Sequence, residues 1–295
     1  MPGGVTAVVA GTISPPGPRS TQAARAPVRC GPGPGPVRAH AVRPSVGPIP
    51  GPIHVVKFGS SVLAAPKEYR RVAGHVRDEV ARGRKLITVV SAMGSTTDAL
   101  LATAHAVAAE PPDALVGTLL ATGEEASVAL LRIALTDVGV RSVGFTAAQL
   151  CVRTRGPLRD ADPVAVDTGR IAAALARSDV IVVPGFVGVD VTTGVPSLLG
   201  RGGSDLTALF LGQAMGAVEV RLVKDVDGVF PGDPRRNTGL TPLRTVSWDR
   251  VRCIGGGVVQ DKALSFAARH RLGFRVAAMG GRGTWVGDAV RPPSP

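Results

Sequence analysis

Leu199-Gly200-Arg201-Gly202-Gly203-Ser204-Asp205-Leu206-Thr207 gathers glycines, a guanidinium, a hydroxyl and a carboxylate directly ahead of an apolar run that extends to Met215. Glycines permit a tight turn and a close approach of backbone to ligand, and Ser204 with Asp205 stand where a helix should begin. A helix start offers unpaired N–H groups to an anion. Arg201 supplies a planar fork suited to a carboxylate or phosphate, and Asp205 is a charge that calls for a cation or a substrate ammonium beside it. The same letters also fit a plain glycine turn capped by Ser204.

Outward from this stretch, apolar runs alternate with helix-compatible segments. Predicted strands lie near 54–58, 86–90, 140–145, 180–183, 219–223 and 274–278, and predicted helices near 67–81, 98–109, 115–135, 168–176, 205–215, 247–252 and 260–270. The strands are short and rich in β-branched residues, as buried parallel strands are. Residues 151–163 read as a loop or hairpin near the site. Alternating strands and helices predict an α/β fold, a mostly parallel central sheet sandwiched by helices in three αβα layers. Ligands in such sheets bind beyond the carboxyl ends of the strands.

Composition narrows the function classes. The 295-residue chain is 44% apolar, and its formal net charge of +12 invites a nucleic-acid reading. The charge is not arranged for that. The first 53 residues hold five Arg and no acidic residue, and no basic block interleaved with aromatics occurs elsewhere. A net positive surface suits a nucleotide equally well. Cys30, Cys151 and Cys253 are widely spaced, so neither a disulfide framework nor a zinc site is predicted. No uninterrupted apolar run approaches the roughly 18 residues of a spanning helix, so neither nucleic acid nor membrane is an expected partner. Residues 1–52, rich in Pro, Gly and Arg, read as a disordered extension with no targeting role, or as a start assigned too early. The folded region is expected over 53–288, a substrate lobe at about 53–200 and a nucleotide lobe at about 201–288, with a tail at 289–295.

Four further motifs accompany the glycine turn: Lys57-Phe58-Gly59-Ser60-Ser61, Ser91-Ala92-Met93-Gly94-Ser95, Thr122-Gly123-Glu124, and Lys224-Asp225-Val226-Asp227-Gly228-Val229-Phe230 followed by Asp233-Pro234-Arg235. In this order and spacing the set resembles the catalytic domain of aspartokinases, within the amino acid kinase family, from about His54 onward. The resemblance implies a soluble cytoplasmic kinase, homodimeric, that uses ATP and Mg2+ to phosphorylate the side-chain carboxylate of L-aspartate or a close analogue. It assigns Lys57 and Asp205 to catalysis, Lys57 on the phosphate and Asp205 orienting Lys57 or the reacting carboxylate. Ser61, Ser91, Glu124, Arg201 and Ser204 go to the amino acid, Glu124 facing its ammonium and Arg201 its carboxylate. Gly59, Ser60, Gly202, Gly203, Lys224, Asp225, Phe230, Arg235 and Lys262 go to the nucleotide. No protein residue is assigned to metal. Glu124 reads as opening a helical run, and Glu125 as solvated.

Several letters depart from the family pattern. One glycine replaces the usual pair after Lys57-Phe58, Lys224 stands for Thr, Phe230 for Tyr, and Gly257 for a lysine. Lys262 or Lys224 could supply the charge missing at Gly257. The family's two regulatory ACT modules do not follow Gly283–Val286, so the chain reads as the catalytic domain without them. Two alternatives stay open: a kinase of the same fold acting on another acceptor, and a catalytically weak nucleotide-binding subunit.

Overall fold

The computed structural model describes residues 51–232, 239–254 and 257–288. The chain divides into a unit at Met1–Ala41 and a unit at Val42–Pro295, and all the described residues belong to the second. The expectations for 1–50, for Asp233, Pro234 and Arg235, and for the tail at 289–295 lie outside them.

In chain order the elements are β1 (Ile53–Phe58), α1 (Pro66–Ala81), β2 (Lys85–Val90), α2 (Thr96–Val107), α3 (Asp113–Asp137), β3 (Ser142–Gly144), α4 (Ala147–Leu150), β4 (Arg153–Arg155), β5 (Asp162–Ala165), α5 (Thr168–Arg177), β6 (Val180–Pro184), β7 (Val187–Asp190), β8 (Pro196–Leu198), α6 (Gly203–Met215), β9 (Glu219–Val223), β10 (Thr245–Val246), α7 (Trp248–Ile254), α8 (Asp261–Arg269), β11 (Phe274–Ala277) and β12 (Thr284–Val286). The large sheet runs β10-β12-β11-β9-β1-β2-β6-β3, and among the described residues β11/β12 is its one antiparallel pairing. A smaller sheet runs β5-β4-β7-β8.

Alternation along the strands divides the core. Val55, Ile87, Val89, Val220 and Leu222 pack with Leu206, Leu209, Ala263 and Leu264 of α6 and α8. Val56, Phe58, Leu86, Val90 and Val182 face the other way, onto Val72 and Val76 of α1 and Leu131 and Leu135 of α3. Side chains two apart share a face of a strand, so β1 serves both helical layers and is buried almost throughout.

Three expectations change. First, α3 starts at Asp113, so Glu124 sits in mid-helix and gains nothing from a helix start. A Cβ at Gly123 would lie 3.2 Å from Ala92, Thr96 and Leu100. This glycine therefore permits close packing of α3 on α2 and does not break the helix. Second, Glu125 is half-buried, and its Oε1 accepts from the Ala147 amide at 3.1 Å. Third, α3 is long and apolar enough, by length and composition, to cross a membrane. Half of its apolar window is buried in the fold, and two glutamates lie near its middle.

Candidate active site

Lys57 lies one residue before the end of β1, the strand between β2 and β9. The chain then turns on Gly59, whose carbonyl accepts from the amides of Val62 and Leu63. A Cβ at Gly59 would stand 2.9 Å from Lys57 Nζ, so a side chain there would press on the ammonium folded back over the turn. Ser60 and Ser61 are both exposed, and Ser60 lines the cleft described below.

At the glycine stretch, α6 begins at Gly203, behind a left-handed Gly202 with φ of 78°. Gly202, rather than Ser204, is therefore the cap. A left-handed residue turns the chain sharply and is costly for anything but glycine. Ser204 is freed for another contact, and its Oγ lies 3.1 Å from Ser91 Oγ at the end of β2.

Asp205, in the first turn of α6, is buried between two ammonium groups. Lys57 Nζ stands 2.7 Å from Oδ1, an ion pair rather than an aligned hydrogen bond. Lys224 Nζ donates to Oδ2, also at 2.7 Å. The two lysines meet because β1 and β9 pair in parallel with Phe58 opposite Val223, and Lys224 is the next residue. Burial alone would raise the Asp205 pKa, but Lys57 and Lys224 outweigh it and hold the carboxyl below the usual range. Burial depresses Lys224, an effect that Asp205 only partly offsets. The cluster is thus one carboxylate under two cations, with positive charge left over for an incoming anion.

A cleft of about 660 Å³ opens beside it, lined by Lys57, Ser60, Ser91, Glu124, Arg201, Asp205 and the Gly202–Ser204 turn. Glu124 is buried, and its Oε2 has no hydrogen-bond partner among the described residues. Burial pushes its pKa up to about 8, which the backbone amides of Ala92 and Gly185 and the charge of Lys57 offset only in part. Arg201 is exposed and makes no ion pair among the described residues. Its guanidinium is therefore available to a ligand. Among the other lining residues, Asp98 and Arg159 are charged and carry no expected role. Asp98 closely follows the Ser91 motif, and Arg159, held by Asp113 at 2.5 Å, lies in the segment read as a loop or hairpin near the site.

Lys262 does not join this group. Its ammonium faces Asp160 Oδ1 at 2.7 Å, the Asp160 carbonyl at 3.1 Å and the Ala161 carbonyl at 3.0 Å. These contacts occupy its three donors, so it braces the β4–β5 connection. Lys224 is the lysine that reaches Asp205. Asp225 is exposed and Phe230 half-buried in the stretch after β9.

The sequence profile of the amino acid kinase family matches residues 52–277. The chain belongs to the amino acid kinase family. Within that family it is 35% identical over 241 residues to an aspartokinase of Geobacillus stearothermophilus, covering 80% of this chain and 59% of the relative. An aspartokinase of Mycobacterium tuberculosis is 36% identical over 225 residues, 75% of this chain and 53% of its own. The chain thus spans somewhat over half the length of these relatives. Among solved structures, aspartate kinase from Synechocystis superposes with a TM-score of 0.69 at 28% identity, over 82% of this chain and 40% of that one. Escherichia coli aspartokinase III in complex with aspartate and ADP superposes equally well, at 23% identity and TM-score 0.69, over 82% of this chain and 66% of that one, a likeness of fold.

Proposed function

We propose that the protein transfers the γ-phosphoryl group of ATP to the side-chain carboxylate of L-aspartate or a close analogue, giving an acyl phosphate and ADP. The observation that carries this reading is the convergence of Lys57, Asp205, Lys224, Glu124 and Arg201 on one region at the carboxyl ends of β1, β2 and β9. A carboxylate opposite a guanidinium complements the ammonium and carboxylate of an amino acid. Two lysines beside the α6 start complement phosphate oxygens.

The acceptor oxygen attacks the γ-phosphorus, and the bond to the β–γ bridging oxygen breaks. The acceptor is already ionised at neutral pH, so no proton must be removed. Asp205, held ionised, acts as the post that aims both ammonium groups. Lys57 stabilises charge on the transferring group, and Lys224 provides the second cation that the family pattern places at Gly257. Magnesium accompanies ATP by the chemistry of its phosphates and neutralises their charge. Both Asp205 oxygens already face lysines, and the described residues contain no cluster of three or more His, Cys, Asp or Glu suited to a metal. The ion would then be held mainly by phosphate oxygens and water, and no protein ligand is assigned.

A coupled assay of ADP release over a panel of amino acids, with hydroxylamine trapping of acyl phosphate, tests this. Turnover with aspartate is expected; turnover only with another acceptor overturns the assignment. Gly257 in place of a lysine favours a second reading, a nucleotide-binding subunit with weak transfer. That reading gains if ADP binds without turnover on any acceptor.

A further inference from the structure

A second concavity lies away from this cleft and shares no lining residue with it. It has a volume of about 900 Å³ and is lined by strand and loop residues alone. Arg221 of β9 pairs with Arg275 of β11, Arg275 with Trp285 of β12, and Trp285 with Thr245 of β10. These side chains form one row across four adjacent strands, on one face at a spacing of roughly 4.8 Å. Val56, which packs towards α1, is the β1 partner of Arg221, so the row lies on the α1 side of the sheet. Alternation along β9 sends Glu219 and Arg221 to this face and Val220 and Leu222 to the core.

The cleft gathers Arg84, Arg221, Arg244, Arg275 and Arg282 against two carboxylates, and both carboxylates are already engaged. Glu219 is shared by Arg275 at 2.7 Å, Arg221 at 3.3 Å and His54 at 3.7 Å. Asp227 accepts from the amides of Ala278 and Gly283, each at 3.1 Å. Arg84 pairs with Glu79. The guanidiniums of Arg244 and Arg282 are exposed and make no ion pair among the described residues. Positive charge therefore exceeds negative in a concavity of ligand size.

We infer that this cleft is a second ligand site, for a small molecule bearing two or more phosphate or carboxylate groups. Guanidinium forks bind both groups bidentately, and neighbouring arginines in one register row suit a ligand with more than one anionic group.

The test is calorimetric titration of the full chain with inorganic tripolyphosphate and, separately, with citrate at matched ionic strength. Wild type is compared with Lys57→Met, which alters the catalytic cleft, and with Arg244→Gln/Arg282→Gln, which removes only the two exposed, unpaired guanidiniums. A saturable phase that persists in Lys57→Met and weakens by roughly tenfold or more in the double variant, with unchanged melting temperature, is expected. Saturation with tripolyphosphate only assigns the site to phosphates, and saturation with citrate as well assigns it to polyanions generally. The inference is overturned if neither probe saturates, if the double variant binds as tightly as wild type, or if the phase disappears in Lys57→Met. The measurement needs no turnover, so its outcome is independent of the acceptor proposed above.

Discussion

If Glu124 receives the substrate ammonium, binding must expel a proton. The buried carboxyl has a pKa of about 8 in the unliganded protein, against an ordinary 4.5. At pH 7 roughly nine-tenths of the molecules then carry it neutral. A cation docked beside it favours the charged form and pulls the pKa down, so the amino acid binds to the ionised minority and releases about 0.9 proton. The apparent dissociation constant should rise about tenfold per pH unit below 8, and about 50-fold between pH 8 and pH 6. Titration calorimetry of aspartate at pH 7, in two buffers of different ionisation heat, reads the proton directly. Glu124→Gln should lose both the buffer dependence and the pH slope. Buffer-independent heats with the wild-type protein would refute the placement of the ammonium at Glu124. The same raised pKa has a stability sign: the contribution of the neutral carboxyl is fully present below about pH 4.5 and is lost as pH rises through about 8. The unliganded protein should therefore melt lower at pH 8.5 than at pH 6.5, and aspartate should narrow that gap.

Further outcomes follow from the same cluster. Lys57→Met should reduce transfer by about a hundred- to a thousand-fold while the circular dichroism spectrum stays unchanged, because Asp205 keeps Lys224 as partner. Lys224→Thr should lower kcat by roughly tenfold or more with little change in the KM for the amino acid, and an unaltered kcat would remove Lys224 from the phosphate side. Arg201→Ala should raise that KM by roughly tenfold and leave the melting temperature alone, since the side chain is exposed and unpaired among the described residues. Gly202→Ala should cost about 1–2 kcal/mol, because a φ of 78° disfavours any side chain and a Cβ would lie 2.6 Å from the Gln260 side chain. Thermal melting several degrees below wild type is the corresponding reading.

The layered α/β fold and the turn ahead of α6 were legible because they depend on local signals: continuous apolar runs, glycines, and a polar pair at a helix start. The reading of Glu124 as opening a helical run followed from Gly123, whose letter reads as a break although its role is to admit Ala92, Thr96 and Leu100. The β7–β8 hairpin went unread because its strands are only four and three residues long. Its turn nevertheless carried a signal, since Asp190 caps the amides of Thr192 and Thr193. The contacts of Lys262 were not legible because its partners, Asp160 and Ala161, are about a hundred positions away in sequence. Lys224 stood out as a departure from the family letters, but only the β1–β9 register brings it to Asp205. The arginine row left a trace in the alternation Glu219-Val220-Arg221-Leu222, legible only once the neighbouring strands are known.

That register has a mechanical meaning. Lys57 stands on a rung of the β1–β9 ladder in the middle of the sheet, and Lys224 directly follows Val223, the last paired residue of β9, so the strand register fixes where both side chains start. On the function proposed above, opening and closing during turnover would displace the exposed Arg201 and Ser60 around a fixed pair of cations. Slowing those movements should affect entry and exit of ligands before it affects the transfer itself.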